Sequence, residues 1–234
     1  MTRVRRQLPS REHDQVESSQ LRWLTGELWK WWQANYRSFP WRDWCDPYRL
    51  LVAEVLLRQT RAQTVSEFMP GFLASYPTPR SIGDAPVPAL VERLRPLGFS
   101  VQRASQLKAL GGEIAAHGDD PWSHGELAAL PGVGPYGAGM VGAVLGLGTP
   151  AVDTNVARVI CRVFDLQPSH AEPRKSTNVW HIAAELVKVS PGAAQLTWAV
   201  LDLAALLCVP RKPRCAACPL LSACAYGEPD PRIQ

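Results

Sequence analysis

The sequence predicts an all-α protein, and three observations carry that prediction. Apolar residues recur at helical spacing along most of the 234 residues, as in Val152, Val156, Val159, Ile160 and Val163. Proline and glycine divide these runs at short intervals, the pattern of short helices joined by short loops. No alternating run is long enough for a useful strand. Hydrophobic residues make up 46% of the chain, which is globular rather than disordered, and the length suffices for one or two domains with a real core.

The formal net charge of +4 permits nucleic-acid binding without requiring it. Only five residues are Lys (30, 108, 175, 188 and 212), so Arg, the better fork for phosphate, carries the positive charge. No apolar run approaches the ~20 residues of a membrane span. The first ten residues lack the apolar core of a signal peptide, so the expected location is cytoplasmic. In that compartment six cysteines point to metal binding or catalysis rather than disulfides.

In chain order, residues 1–18 are polar and unpatterned and read as a disordered tail. Residues 19–36 form a helix whose aromatics, among them Trp23, Trp29, Trp31, Trp32 and Tyr36, serve packing. Phe39-Pro-Trp-Arg42 ends it, and Asp46-Pro47-Tyr48 opens a long helix running from Tyr48 to Val65. From 66 to 126 the helices are broken at Pro70-Gly71, Pro77-Thr-Pro79, Pro86-Val-Pro88, Pro96-Leu-Gly98 and Gly111-Gly112. Further helices fill 165–206, and Leu196 to Leu207 is nearly all apolar.

Four places carry candidate chemistry. In Leu130-Pro-Gly-Val-Gly134, Gly132 and Gly134 flank Val133, and Pro135 suits the first position of a helix, so the text reads helix, tight hairpin, helix. Backbone N–H groups beside a helix N-terminus make an anion site; the same turn also serves as a plain helix–helix connection. Asp153 follows eighteen residues after Pro135 and heads an amphipathic run, where it suits an N-cap close to the hairpin. Glu54 stands among Leu50, Leu51, Val52, Val55, Leu56 and Leu57. Burial there would keep it protonated near neutral pH, as a general acid needs; a half-solvated or Arg-paired glutamate is the plainer alternative. Cys208, Cys215, Cys218 and Cys224 give C-x6-C-x2-C-x5-C, a thiolate set for an iron–sulfur centre, with structural zinc as the alternative. Cys45 and Cys161 fall outside that pattern and are expected to be buried thiols.

Residues 130–162, with the hairpin and Asp153, resemble the helix-hairpin-helix DNA glycosylases, the superfamily that contains endonuclease III and the adenine mismatch glycosylases. Pro40-Trp-Arg, Asp46-Pro-Tyr and Glu54-Val-Leu-Leu-x-Gln-Thr60 resemble the opening of the adenine mismatch and the thymine/uracil mismatch branches. The cysteine spacing resembles the [4Fe–4S] module at the end of these enzymes. The resemblance covers residues 38 to 226 almost without a gap.

It implies two helical lobes with a DNA cleft between them: a six-helix lobe over 39–150 ending in the hairpin, and a cluster-bearing lobe of 19–38 plus 151–226, followed by a tail at 227–234. Glu54, Tyr136 and Asp153 would converge in the cleft, with Asn155 as a polar pocket residue. Gly132, Val133 and Gly134 would grip the DNA backbone, Gln59 would enter the stack beside the flipped base, and Phe99 would push into the duplex, if it is not core. Arg211, Lys212 and Arg214, between the first two cysteines, would face outward as phosphate contacts. Tyr136 stands where endonuclease III-type lyases carry a Schiff-base Lys; a phenol forms no imine, so a monofunctional glycosylase is expected.

The expected protein is a monomer that binds double-stranded DNA with a mismatched or damaged base and carries a [4Fe–4S] cluster. Leu-Leu-Arg after Glu54 and Gln102-Arg-Ala-x-Gln-Leu-Lys108 resemble the thymine/uracil branch, and the adenine branch usually adds a C-terminal domain beyond the cluster, whereas this sequence ends at Gln234. Thymine or uracil opposite guanine is therefore the favoured substrate. Adenine opposite guanine or 8-oxoguanine is the alternative, and a non-catalytic DNA-binding protein is the third.

Overall fold

A computed structural model describes residues 18–118 and 122–227. Among the described residues there are eleven α-helices and no strand. They are α1 (Ser18–Asn35), α2 (Pro47–Leu57), α3 (Ala62–Ser75), α4 (Pro79–Gly83), α5 (Val87–Leu94), α6 (Ser100–His117), α7 (His124–Ala129), α8 (Gly134–Val144), α9 (Thr154–Phe164), α10 (Thr177–Val189) and α11 (Ala193–Leu206). The tail expected over 1–18 lies outside the described residues except for Ser18, which opens α1, and so does 228–234.

The helices gather around two main cores. One is built from α2 to α8, with Leu51, Leu56, Phe72, Leu94, Leu107 and Leu127 fully buried. The other joins Leu21, Leu24 and Leu28 of α1 to Val156, Ile160, Ile182 and Leu203. A small third cluster, Met140, Ala143, Ala151, Ala194 and Trp198, sits where α8 meets α11. Helix α2 is buried on nearly every side, as expected of a helix that is apolar all round. It starts cleanly because Asp46 accepts from the N–H of Tyr48 at 2.9 Å and Pro47 occupies its first turn.

Several expected boundaries are corrected. The run from Tyr48 to Val65 is two helices, because the chain leaves α2 at Arg58 and turns left-handed at Gln59 (φ 57°) before α3 begins. The stretch 39–150 therefore carries seven helices, one of them the five-residue α4, rather than six. Pro70 does not end its helix; it lies inside α3, where an interior proline costs about 3 kcal/mol. Met69 and Phe72, both fully buried, anchor the helix on either side of it, and packing outweighs that cost. Gly111-Gly112 is not a break either. A Cβ on Gly111 would fall 2.3 Å from Ile82 Cγ2 and 2.7 Å from the Pro79 carbonyl, so the glycine lets α6 run hard against α4. Cys45 is exposed and Cys161 half-buried, so neither is a fully buried thiol.

One buried charge ties the N-terminal segment to α11. Asp202 is fully buried in the otherwise apolar helix and accepts from Trp32 Nε1 (2.8 Å), Arg37 Nε (2.6 Å) and both Arg42 Nη atoms (2.7 and 2.8 Å). Burial alone would raise its pKa, but the hydrogen bonds from Arg42 and Arg37 outweigh it and hold the carboxyl below the ordinary Asp range. Arg42 also lies over the rings of Phe39 and Trp198, at 5.4 and 5.6 Å. Breaking such a buried pair by removing one partner costs about 3–5 kcal/mol, so Arg42 and Asp202 fix how the Pro-Trp-Arg turn enters the fold.

Candidate active site

The hairpin delivers two of the candidate groups. Leu130 ends α7, the Val133 N–H donates to the Leu130 carbonyl at 3.2 Å, and Gly132 (φ 77°) and Gly134 (φ 71°) take the left-handed conformations that start α8. Val133 is buried in the core, whereas Gly132 and Gly134 on either side of it are partly exposed. Tyr136 follows in the first turn of α8 and is half-buried. A Cβ on Gly137 would lie 3.6 Å from Glu54 Cβ, which sets this turn directly beside α2. The hairpin helix also approaches the segment leading to Asp153. A Cβ on Gly139 would fall 2.1 Å from the Pro150 carbonyl, and Thr149 Oγ1 donates to the Gly139 carbonyl at 2.8 Å.

Asp153 is the N-cap of α9. Its Oδ1 accepts from the N–H groups of Asn155 (2.8 Å) and Val156 (2.7 Å), and its Oδ2 accepts from Asn155 Nδ2 (2.7 Å). Three N–H donors and a helix N-terminus surround the carboxylate with positive partial charge. Asn155 is exposed in the first turn of α9, and its Oδ1 accepts from Arg158 Nη1 at 3.0 Å. Arg158 in turn donates to the carbonyls of Cys208 (3.0 Å) and Ala204 (3.2 Å). In this structure Asn155 orients Asp153, and Arg158 braces Asn155 against the end of α11.

Glu54, Tyr136 and Asp153 form one electrostatic unit. Burial first, and the charge of Asp153 second, push the Glu54 pKa up to about 8. Burial also lifts the Tyr136 phenol well above its ordinary value, with the charges of Glu54 and Asp153 adding to it and Arg42 opposing. At neutral pH this leaves a protonated carboxyl and a protonated phenol beside a capped carboxylate. Holding Glu54 protonated there at neutral pH costs about 3 kcal/mol, from the gap between that pH and its ordinary pKa of 4.5. Its buried neighbours Leu50, Leu51, Val52, Val55 and Leu56 contribute about 1.5–3 kcal/mol each and carry that cost. A cavity of about 430 Å³ opens elsewhere, between Arg42–Cys45, the end of α8 and Gln195 of α11; none of the three groups lines it.

The other candidate residues fall on two surfaces. Gln59 and Phe99 are both exposed, Phe99 at 59%, and Phe99 is therefore not core. Arg211, Lys212 and Arg214 are exposed on the loop between Cys208 and Cys215. The four cysteines line one small hollow of about 20 Å³ with Arg162, Pro213, Leu221 and Tyr226. Arg162 Nη1 lies 3.4 Å from Cys208 Sγ, and its guanidinium covers the Tyr226 ring at 4.5 Å. Among the described residues no three His, Cys, Asp or Glu side chains close on a single ion.

Residues 52–187 match the model of the HhH-GPD superfamily of base excision DNA repair proteins. The chain belongs to that superfamily. Thymine-DNA glycosylase of Aeropyrum pernix is 34% identical over 220 residues, which is 92% of this chain and 99% of that protein. Adenine DNA glycosylase of Schizosaccharomyces pombe is 35% identical over 81% of this chain but only 43% of its own length. A solved thermostable thymine-DNA glycosylase superimposes with a TM-score of 0.78 at 30% identity, covering 89% of this chain and 96% of that one. In this superfamily member the hairpin, Glu54 and Asp153 were legible in the sequence. Arg42, Asp202 and Arg158 were missed as supporting residues. Asp202 carried a signal, since a lone carboxylate in an apolar helix is as odd as Glu54.

Proposed function

We propose that this protein is a monofunctional base-excision DNA glycosylase that hydrolyses the N-glycosidic bond of thymine or uracil mispaired with guanine. The observation that carries the reading is the pairing of a buried, protonated Glu54 with the capped carboxylate of Asp153 in one site. A buried carboxyl that keeps its proton, set beside an N-capping aspartate, is an arrangement that suits glycosidic cleavage. With a nucleotide extruded, the C–N bond breaks and its electron pair leaves with the base. Glu54 hydrogen-bonds or protonates the departing base. Asp153 stabilises the cation-like sugar, and water adds to it, the proton that water loses going to the departed base or back to the Glu54 carboxylate. Tyr136 brings a phenol to the same site and offers no amine for an imine, which supports release without strand cleavage.

The turn of Gly132, Val133 and Gly134 holds a phosphate through the N–H groups of the two glycines, since that of Val133 bonds the Leu130 carbonyl, and Gln59 and Phe99 enter the stack. Arg211, Lys212 and Arg214 contact phosphates from the cysteine loop. We take 39–150 as one lobe and 19–38 plus 151–226 as the other, with the DNA cleft between them. Cys208, Cys215, Cys218 and Cys224 hold a [4Fe–4S] cluster. The four thiols line one hollow together, and the Arg162 N–H at Cys208 Sγ suits a thiolate-bound cluster. When bound, the cluster would supply structure, with these four cysteines tying the end of α11 to the basic loop. No helix among the described residues is long and apolar enough to cross a membrane, and we place the enzyme as a monomer in the cytoplasm with its DNA. The 34% identity to a thymine-DNA glycosylase over 92% of this chain and the superposition on a solved thymine-DNA glycosylase support the base assignment.

Single-turnover release from duplexes carrying T:G, U:G, A:G and A opposite 8-oxoguanine, each with and without alkali, tests this. Thymine and uracil opposite guanine are expected to be released at least about tenfold faster than adenine, a discrimination of about 1.4 kcal/mol, with breaks only after alkali. Faster adenine release transfers the assignment to the adenine branch. Breaks without alkali contradict the monofunctional reading, and no release at all leaves a DNA-binding protein.

A further inference from the structure

Two exposed side chains on different loops share an unusual backbone. Gln59, between α2 and α3, has φ 57°, and Phe99, between α5 and α6, has φ 50°. Non-glycine residues adopt this left-handed region reluctantly, so something must hold both loops. The group that does so is Arg103, only 3% exposed on α6. Its Nη1 donates to the carbonyls of Leu97 (2.8 Å) and Gly98 (3.0 Å), while its Nη2 donates to the carbonyl of Arg58 and to Thr60 Oγ1, both at 2.6 Å. Residues 58 and 60 bracket Gln59, and residues 97 and 98 lead into Phe99. One planar guanidinium thus bonds the flanks of both left-handed residues. Arg58 Nη1 extends the link to the hairpin by donating to the Gly132 carbonyl at 2.8 Å.

We propose that Arg103 is a positioning residue that fixes the spacing between Gln59 and Phe99, so that both enter the duplex together when a nucleotide is extruded. The proposal rests on the reading of those two side chains as the pair that enters the stack. Lysine cannot replace the arginine, because an ammonium lacks the rigid fork that reaches four acceptors on two loops. The spacing matters because a flipped nucleotide leaves a gap and an unpaired opposite base, and two side chains must fill those places at once.

The test uses the Asp153→Asn protein, which cannot proceed to release, and a T:G duplex with 2-aminopurine beside the mismatch. The rise in fluorescence on saturation with protein reports unstacking. Arg103→Lys is expected to cut that rise at least about fivefold, while the Kd for an undamaged duplex, set by phosphate contacts, changes less than about threefold. In a Gln59→Ala, Phe99→Ala background the same Arg103→Lys change is expected to cause no further loss, because its only route of action is gone. Thr60→Val, which removes one acceptor and leaves the guanidinium, is expected to give a smaller loss, and it keeps the test in force if the lysine variant unfolds. A full rise in both the lysine and valine variants overturns the proposal. So does further loss in the double-alanine background, which would mark a general structural role. If the Gln59→Ala, Phe99→Ala protein itself keeps the full rise, the reading of those side chains falls and takes the proposal with it.

Discussion

Asp153→Asn is expected to lower single-turnover base release by at least about a thousandfold, at the upper end of what one preorganised electrostatic contact contributes. The substitution is informative because it separates two roles of the same side chain. Asp153 caps α9 through Oδ1, which accepts from the Asn155 and Val156 N–H groups. Asparagine is as good an N-cap as aspartate, so the helix and the melting temperature should survive. What disappears is the negative charge facing the sugar. Measured melting within about 2 °C of the parent, together with lost release, would assign the effect to charge. Lost release with lost folding would assign it to the cap, and retained release would remove Asp153 from the reaction.

The second large effect is at Glu54. Glu54→Gln is expected to slow release by about 10²- to 10⁴-fold, the usual contribution of a positioned acid. The pH profile carries the sharper signature. With a pKa of about 8, Glu54 holds its proton at neutral pH, and release by the parent enzyme should fall tenfold per pH unit above that value. The glutamine variant should lose this alkaline limb. Stability runs in the same direction. A carboxyl raised from 4.5 to about 8 on folding gives stability that is complete below 4.5 and is lost as pH rises through 8. Glu54→Gln should therefore gain on the parent in melting temperature as pH climbs from 5 to 9, even as it loses activity. Parallel stability curves would show that Glu54 is not desolvated in solution.

Much of the site was legible because its residues break local rules. A glutamate among six aliphatics, two glycines around a valine before a proline, and four cysteines at uneven spacing each conflict with what a plain helix bundle needs. The supporting residues were less visible, since an arginine looks the same in sequence whether solvated or buried. Arg103 and Arg158 owe much of their meaning to carbonyls 45 and 50 residues away, at Arg58 and Cys208. The break at Arg58–Arg61 was hidden for the same reason. Nothing in Arg-Gln-Thr-Arg forbids a helix, and the turn is held by Arg103 from another element. Gly111 read as a breaker because its use, close approach to α4, is a tertiary fact. The exposure of Cys45 was likewise beyond composition alone.

The central claim is that Asp153 presents negative charge to a cation-like sugar extruded beside Glu54 and Tyr136. Its most direct measurement compares two uncleavable duplexes with the variant residue opposite guanine. One carries a pyrrolidine, positively charged where the transition state is; the other carries a neutral tetrahydrofuran. The account predicts that the cationic duplex binds at least about a hundredfold more tightly, as transition-state mimics do, and that Asp153→Asn removes most of the difference. Equal affinity for the two duplexes, or a preference that survives the loss of Asp153, would contradict it.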